Sequence, residues 1–393
     1  MNKKLWLTLV SAAVLGLAGC SETKPSVEPK KEDNPTNTDP THTTTDIPVV
    51  KDDEVPVFVM SGQSNMEGST YWRLNGENLL KKYMEELGED YSFVDPDETN
   101  NTVADKATRE DGIENVLTTY YGFYHPNGWT QAHTASLDTS TPEARLTPNF
   151  KPTTVGMGVG DGGKDDYFGP ELGLAYKLGK EYDGEEPIHL IKCAFSGSGF
   201  SQGTVNWRNY PDESKTDEQN ATSSLYYLLK RYTDNSLKVI EDQGKKPVIK
   251  GFIWHQGESD TSNANYQTEM EGLIARFRED YAEYATDEDG SNIAFLDCTI
   301  YDGTKNRYGS QEQVNSGINA KKNAIAAKGK LDPDDENYEK NYIVDGTFTD
   351  HGLKLEIGDE EKGGFNLYHY NTKDAFILGE AYADLILNNN LLD

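Results

Sequence analysis

The sequence predicts an α/β fold built around a parallel sheet. Four short runs have the composition of strands that are buried on both faces, and segments with helical periodicity separate them. These runs cover residues 55–60, 187–195, 247–254 and 292–297. Apolar strands that alternate with helices are typical of a parallel sheet with helices packed on it, so we assign the chain to the α/β class.

Four amphipathic helices are predicted by apolar residues at three- and four-residue spacing. They cover residues 170–182, 223–243, 265–284 and 372–387. Residues 71–165 break this rhythm, because they are rich in Asp, Asn, Thr and Gly and carry scattered aromatic side chains, Trp129 among them. A long irregular segment with aromatic residues is usually functional, so we expect an aromatic-rich insert at about 71–165.

The N-terminus has the pattern of an export signal. Two lysines precede an apolar run over residues 5–17, which is short for a membrane span, and Leu17-Ala-Gly-Cys20 follows. This ending resembles the lipobox of bacterial lipoproteins, which implies a signal peptide over residues 1–19 and lipidation of Cys20. Residues 20–54 are almost free of large apolar side chains, so we expect them to form a disordered tether. Residues 55–393 are expected to form the folded domain. We therefore expect an extracytoplasmic protein, anchored by lipid to a bacterial membrane at the cell surface or in the periplasm.

Composition excludes some partners. The 393 residues include 67 acidic and 37 basic side chains, which gives a formal net charge of -30. Such a charge repels nucleic acid and anionic lipid, so we expect no nucleic acid partner and membrane contact only through the N-terminal anchor. The oligomeric state is not predicted.

A serine follows the first predicted strand directly. The chain runs from residue 60 into Ser61-Gly-Gln-Ser-Asn-Met-Glu-Gly68, where Gly62 allows a tight turn. Ligands of open parallel sheets bind outside the carboxyl ends of the strands, so Ser64 is well placed as a nucleophile. Its backbone N–H could also face an oxyanion. A serine that merely caps a tight loop fits the spacing equally well.

A second polar cluster follows the third predicted strand. His255-Gln-Gly-Glu-Ser-Asp260 begins where that strand ends, and dense polar chemistry beside a buried strand is costly unless it is satisfied or used. His255 and Glu258 could be two metal ligands, but a third is lacking, so we predict no metal site. A nucleophilic serine also needs a base. His369, just before the last predicted helix, is the first candidate, and His351 is the alternative.

Two further motifs have weak functional interpretations. Gly199-Phe-Ser-Gln-Gly203 matches the nucleophile-elbow pattern, but its strand ends too early for a sharp turn at Ser201. Gly158-Val-Gly-Asp-Gly-Gly163 fits a dinucleotide fingerprint, yet Asp165 and Asp166 follow and would oppose a pyrophosphate. We interpret both motifs as loops.

Five segments together resemble one family. In chain order they are Ser61-Gly-Gln-Ser-Asn-Met-Glu67, Tyr167-Phe-Gly-Pro-Glu-Leu-Gly173, Lys192-Cys-Ala-Phe-Ser-Gly-Ser198, Trp254-His-Gln-Gly-Glu-Ser-Asp260 and His369-Tyr-Asn-Thr372. This set resembles the sialate O-acetylesterase-like (SASA) branch of the SGNH hydrolases, which includes carbohydrate esterase family 6. The resemblance covers about residues 55–388. It implies a three-layer, flavodoxin-like α/β/α sandwich with a central parallel sheet.

The resemblance also implies a carbohydrate acetylesterase that needs no cofactor. Ser64 would be the nucleophile and His369 its base, and the backbone N–H groups of Ser64 and Gly197 with the side chain of Gln256 would form the oxyanion hole. The family usually has Asp three residues before the base, where this chain has Asn366. An amide cannot stabilise an imidazolium as a carboxylate does, so we predict Glu258 as the acid. Asp350 and Asp359 are alternatives.

The substrate expected from the resemblance is an acetylated oligo- or polysaccharide, such as acetylated xylan or an O-acetylated sialic acid. Asn65, His255 and Trp129 are the candidate substrate-binding residues. Two other functions stay open from sequence. Asn366 is compatible with a catalytically impaired carbohydrate-binding lipoprotein, and a general surface carboxylesterase would use the same serine chemistry.

Overall fold

The computed structural model describes residues 53–89, 112–121, 146–158, 167–201, 203, 205–301, 309–310, 312–346 and 368–393. The strands in these ranges are β1 Glu54–Gly62, β2 Thr70–Tyr71, β3 Arg73–Leu74, β4 Glu77–Asn78, β5 Ile113–Tyr120, β6 Lys151–Thr153, β7 Tyr167–Phe168, β8 Ile188–Lys192, β9 Lys246–His255, β10 Ala294–Cys298 and β11 Asn341–Val344. The α-helices are α1 Ser64–Glu67, α2 Leu79–Leu87, α3 Glu171–Glu181, α4 Asp217–Ala221, α5 Leu225–Asp242, α6 Tyr266–Asp280, α7 Ala320–Ala326 and α8 Thr372–Asn388. Short 3₁₀ turns cover Glu258–Asp260, Ala282–Tyr284 and Ala327–Lys330, and a π-helix covers Gln313–Asn319.

Seven strands form the central sheet in the order β11-β10-β9-β1-β8-β5-β6. All neighbouring strands are parallel except β5 and β6, which are antiparallel. The four strands predicted from apolar runs are β1, β8, β9 and β10, which are neighbours in the middle of this sheet. The predicted α/β class is confirmed, and the sheet is mixed rather than wholly parallel.

Helices cover both faces of the sheet. Side chains alternate along β1, so Val57 and Val59 pack in one hydrophobic cluster with residues of α5 and α6. Phe58 and Met60 point the other way, into a second cluster with residues of α3 and α8. Since an apolar strand buried on both faces requires a cover on each side, this packing gives the three-layer α/β/α sandwich.

The interpretation of the whole stretch 71–165 as an irregular insert is wrong. β5 lies inside it and pairs with β8, and β6 adds an edge strand. β5 was missed because it carries polar residues: Thr118 and Thr119 are buried and are satisfied by hydrogen bonds to Thr153 and Tyr232. Residues 90–111, 122–145 and 159–165 of this stretch lie outside the described residues.

The predicted signal peptide, Cys20 and nearly all of the predicted tether also lie outside the described residues. Among the helices that are described, none has both the length and the apolar character needed to cross a membrane.

A buried ion pair fixes the end of α1. Lys192, at the end of β8, is almost fully buried, and its ammonium lies 2.9 Å from the Glu171 carboxylate, which is also buried. The same ammonium donates to the backbone oxygens of Met157, at 2.6 Å, and Glu67, at 3.2 Å. Glu67 ends the helix that begins at Ser64, so this pair holds the segment that carries the candidate nucleophile.

Replacing Lys192 by methionine should destabilise the protein by about 3–5 kcal/mol, because it leaves the Glu171 carboxylate buried without a counter-charge. Urea unfolding measures the change. Lys246→Met is the control, since Lys246 pairs with Glu54 at the surface, and its urea midpoint should stay near that of the unmodified protein. Equal midpoints for the two variants would contradict a structural role for the buried pair.

Candidate active site

The central strand β1 delivers Ser64 to the carboxyl edge of the sheet. Every residue of β1 after Glu54 is buried, and the chain turns through Gln63 directly into α1. The backbone N–H groups of Met66 and Glu67 both donate to the carbonyl oxygen of Gln63, which fixes the turn. Ser64 thus begins α1 with its side chain 7% exposed. Neither its hydroxyl nor its backbone N–H bonds to another described residue.

The neighbouring strand β9 delivers Glu258 to the same edge. After His255 the chain turns at Gly257, whose φ of 139° is unfavourable for other residues, into the 3₁₀ turn. The Glu258 carboxylate is buried, and its Oε1 accepts a hydrogen bond of 2.8 Å from Nδ2 of Asn65. Nε2 of His255 lies 3.3 Å from the same oxygen.

Glu258 stays ionised in this environment. Burial raises its pKa, but the His255 imidazole beside it and the hydrogen bond from Asn65 outweigh burial and lower the pKa overall. The other carboxylate oxygen, Oε2, has no hydrogen-bond partner among the residues that the structure describes. A buried anion with one oxygen held and one open is therefore present beside the candidate nucleophile's helix.

His369 lies just before α8 and is held through the backbone on both sides. Nδ2 of Asn65 lies 3.5 Å from the carbonyl oxygen of Tyr368, and Oδ1 of Asn65 accepts a hydrogen bond of 3.2 Å from the N–H of Tyr370. Thr70 adds a hydrogen bond of 2.9 Å to the carbonyl oxygen of Tyr370. Because Asn65 follows Ser64 in the chain, these bonds bring the His369 segment to the nucleophile's end of α1.

Burial also tunes the candidate base. The His369 side chain is 7% exposed, and burial lowers its pKa to about 4, while the negative charge of Glu258 acts in the opposite direction. The imidazole is therefore neutral at physiological pH and can accept a proton. The Glu258 carboxylate thus acts electrostatically on this imidazole.

The predicted oxyanion donors differ in their surroundings. Gly197 follows β8 with a φ of 66°, is solvent-accessible, and has an N–H without a partner among the described residues. Gln256 is fully buried. Its Nε2 lies 2.8 Å from Oδ2 of Asp260 and 3.3 Å from both the carbonyl oxygen of Ser198 and Oε1 of Gln63. Two amide hydrogens thus face three protein acceptors, so the role of Gln256 at an oxyanion stays a prediction.

The candidate substrate-binding residues lie inside the protein where they are described. Asn65 is buried and bonds to Glu258 and to the backbone beside His369, as described above. His255 is 0% exposed and lies behind Glu258. His255 does not reach the surface, and the polar atoms of Asn65 already face protein partners, so both positions argue against direct contact with a substrate. Trp129 lies outside the described residues, as do the positions His351, Asp350, Asp359 and Asn366.

Ser201, the alternative serine, has its hydroxyl occupied by a structural hydrogen bond. Its hydroxyl donates to Oδ1 of Asp260 at 2.8 Å, and the N–H of Phe200 donates to Oδ2 at 2.8 Å. Asp260 also receives the Gln256 amide, so it ties the loop after β8 to the turn after β9. No role is predicted for Asp260 from sequence, although it ends the polar segment that begins at His255.

No metal site is found in the described part of the chain, where no group of three or more His, Cys, Asp or Glu side chains could hold an ion. The pair formed by His255 and Glu258 lacks a third ligand there.

Comparison with known proteins identifies a family. Residues 125–336 match a family model described as carbohydrate esterase, sialic acid-specific acetylesterase (SASA). That stretch contains Gly197, Gln256 and Glu258, whereas Ser64 and His369 lie on either side of it. A search of curated protein sequences gives no match.

The solved structures that align with the chain include the following three. A protein from Arabidopsis thaliana has 17% identity and a TM-score of 0.43, covering 85% of this chain and 98% of its own. NanS has 13% identity and a TM-score of 0.46, covering 87% of this chain and 99% of its own. XAC1771, described as a novel carbohydrate acetylesterase from Xanthomonas citri, has 12% identity and a TM-score of 0.42, covering 85% of this chain and 57% of its own. Since the family match spans more than half of the sequence, the chain belongs to the SASA family of carbohydrate esterases.

Proposed function

We propose that this protein hydrolyses O-acetyl esters of carbohydrate through an acetyl-enzyme on Ser64, with His369 as the base. One observation carries the proposal: Asn65, the residue after Ser64, bonds to the backbone on both sides of His369. The helix that begins at Ser64 is thereby bonded to the backbone of the segment that carries a buried, neutral imidazole. Family membership supports the substrate class.

The reaction proceeds in two halves. His369 removes the hydroxyl proton of Ser64 as Oγ attacks the acetyl carbonyl carbon, which forms a tetrahedral oxyanion. The sugar oxygen then leaves with the proton that His369 returns, and the acetyl group stays on Ser64. A water molecule, deprotonated by His369, attacks this ester, and acetate departs as the proton returns to Ser64. The backbone N–H groups of Ser64 and Gly197 are the proposed oxyanion donors.

Glu258 is the proposed acid of the site. It is buried and ionised, and its charge raises the pKa of His369, which is the effect needed to stabilise an imidazolium during the reaction. Asn65 donates to one carboxylate oxygen, which His255 approaches to 3.3 Å, and the other oxygen has no hydrogen-bond partner in the described structure. These features support Glu258 in the catalytic role that the family usually gives to an Asp three residues before the base.

The proposed substrate is an acetylated oligo- or polysaccharide, with O-acetylated sialic acid and acetylated xylan as the two classes to compare.

The proposed location is outside the cytoplasm, anchored by lipid at Cys20, on the basis of the lipobox-like sequence Leu17-Ala-Gly-Cys20. Expression of the full chain and of Cys20→Ser in a bacterial host tests the anchor. The full chain should fractionate with membranes and the variant should not, whereas membrane association of both would refute lipidation at Cys20.

Ser64→Ala should abolish acetate release from 4-nitrophenyl acetate and from acetylated glycans, because no other described serine is joined to a histidine in this way. Ser201→Ala is the matched control and should keep near-normal turnover, since Ser201 bonds to Asp260. The assay is release of 4-nitrophenol, followed by chromatography of acetate from the glycans. Full activity in Ser64→Ala would overturn the proposal. Absence of turnover in the unmodified protein would favour a carbohydrate-binding function.

The pH profile should show an acid limb set by His369. The base must be neutral, and burial lowers its pKa to about 4, so kcat/KM should fall as the pH drops through about 4. Glu258→Gln removes the charge that raises this pKa, so the acid limb should move to lower pH. Turnover at neutral pH should fall on the order of 10²–10⁴-fold, because the imidazolium loses its carboxylate.

The control for this measurement is Glu339→Gln. Glu339 also accepts a hydrogen bond from an asparagine, Asn341, but at the start of β11, on the opposite edge of the sheet. Its kinetics should match those of the unmodified protein. An unchanged acid limb with full turnover in Glu258→Gln would show that Glu258 is not the acid.

A further inference from the structure

The amide of Asn65 contacts all the segments that the proposed reaction requires. Nδ2 donates to Oε1 of Glu258 at 2.8 Å and lies 3.5 Å from the carbonyl oxygen of Tyr368. Oδ1 accepts from the N–H of Tyr370 at 3.2 Å. Its own backbone continues directly from Ser64 in α1. One buried side chain therefore connects the nucleophile's helix, the acid's turn and both neighbours of the base.

We propose that Asn65 is a positioning residue for this reaction, which orients Glu258 and the His369 segment relative to Ser64 rather than binding substrate. The inference rests on the proposed function. It replaces the substrate-binding role expected from the sequence, because the side chain is buried and its polar atoms already face protein partners.

The chemistry of the three contacts requires an amide. A carboxylate and a carbonyl oxygen both need donors, which the two hydrogens of Nδ2 supply, while the N–H of Tyr370 needs an acceptor. This pattern also fixes which end of the amide is nitrogen, since a flipped side chain would place oxygen against the Glu258 carboxylate. Alanine removes all three contacts. Aspartate keeps the size and the bond from Tyr370 but loses both donors.

The charges around this position make aspartate the more damaging change. Glu258 is in direct contact with Asn65, His255 lies 3.3 Å from the Glu258 carboxylate, and the charge of Glu258 acts on His369. Asp297, which pairs with Lys322 at 2.5 Å, is another buried carboxylate near enough to His255 for an electrostatic effect. A carboxylate at position 65 would stand beside the Glu258 carboxylate, and like charges at this distance repel strongly when buried. A positioning role therefore predicts that Asn65→Asp is slower than Asn65→Ala at neutral pH.

A role in packing alone predicts the reverse order, because aspartate has the shape of asparagine and alanine does not. Asn341 provides the matched comparison. Its Nδ2 also donates to a glutamate oxygen, of Glu339 at 3.0 Å, and lies 3.4 Å from a backbone carbonyl, of Ile325. Its Oδ1 accepts from Arg278 at 3.0 Å. Substitutions there make the same chemical change at the opposite edge of the sheet.

The experiment measures kcat, KM and urea midpoints for the alanine and aspartate variants at positions 65 and 341. Both changes at Asn65 should lower kcat by about 10²–10³-fold with KM within about threefold, aspartate being the slower. Both changes at Asn341 should leave kcat unaltered. Full kcat in Asn65→Ala, or an aspartate variant faster than the alanine variant, would overturn the inference. Asn65→Asp, matched in size, decides the question through its kcat if the alanine variant does not fold.

A double-variant cycle tests whether Asn65 acts through the acid. If it does, Asn65→Ala combined with Glu258→Gln should be about as slow as Glu258→Gln alone. Losses that multiply would show that Asn65 acts independently of Glu258 and would overturn this part. Failure of the proposed function is recognised separately, because Ser64→Ala would then remain active, whereas failure of this inference leaves Ser64 essential and Asn65 dispensable.

Discussion

The site depends on how closely the ends of β1 and β9 approach each other. A Cβ atom on Gly62 would lie 2.1 Å from the carbonyl oxygen of His255, and φ at Gly62 is 143°, so only glycine fits. The N–H of Gln63 donates to the same oxygen at 3.0 Å. Because two neighbouring parallel strands end at this contact, the turns that carry Ser64 and Glu258 leave the sheet side by side.

Bringing polar groups together at a buried edge is costly unless each finds a partner. The Asn65 side chain provides partners by bonding to the Glu258 carboxylate and to the backbone beside His369. The Asp260 carboxylate does so by accepting hydrogen bonds from the loop after β8 and from Gln256, after β9. At the end of α1, the Lys192 ammonium and the Glu171 carboxylate neutralise each other. Asn65 and the Lys192 ammonium bond to the two ends of the short helix that begins at Ser64, and Asp260 ties together the loops beside it, so the nucleophile is positioned by bonded neighbours rather than by the helix itself, which is a single turn.

The sequence predicted the parts of the fold whose physical signal is local. β1, β8, β9 and β10 were identified because strands buried on both faces need continuous apolar residues, and the long helices because one face of each is apolar. β5 was missed because its buried threonines are satisfied by distant partners, and β11 because four residues give little pattern. Neighbouring positions for Ser64 and Glu258 could be expected, since both follow parallel strands.

The direction of a side chain could not be predicted in the same way. Asn65 and His255 have residue types suited to sugar binding and occur in the right segments, but both point inward, because partners far away in the sequence bond to or surround them. Lys192 and Glu171 stand in two of the segments that carried the family resemblance, yet no local pattern indicates that they pair. The one feature in the sequence that could have indicated this pair is the occurrence of a charged residue inside an apolar strand, Lys192, and another at the start of an apolar helix, Glu171.

The most direct test of the central claim is to trap the acetyl-enzyme. The protein is mixed with 4-nitrophenyl acetate, quenched in acid during turnover, and digested for peptide mass mapping. One acetyl group on the peptide that contains Ser64 is the predicted result, because the ester formed in the first half of the reaction is stable in acid. Turnover with an acetyl group on a different residue, such as Ser201, or with none on the protein, would contradict Ser64 as the nucleophile.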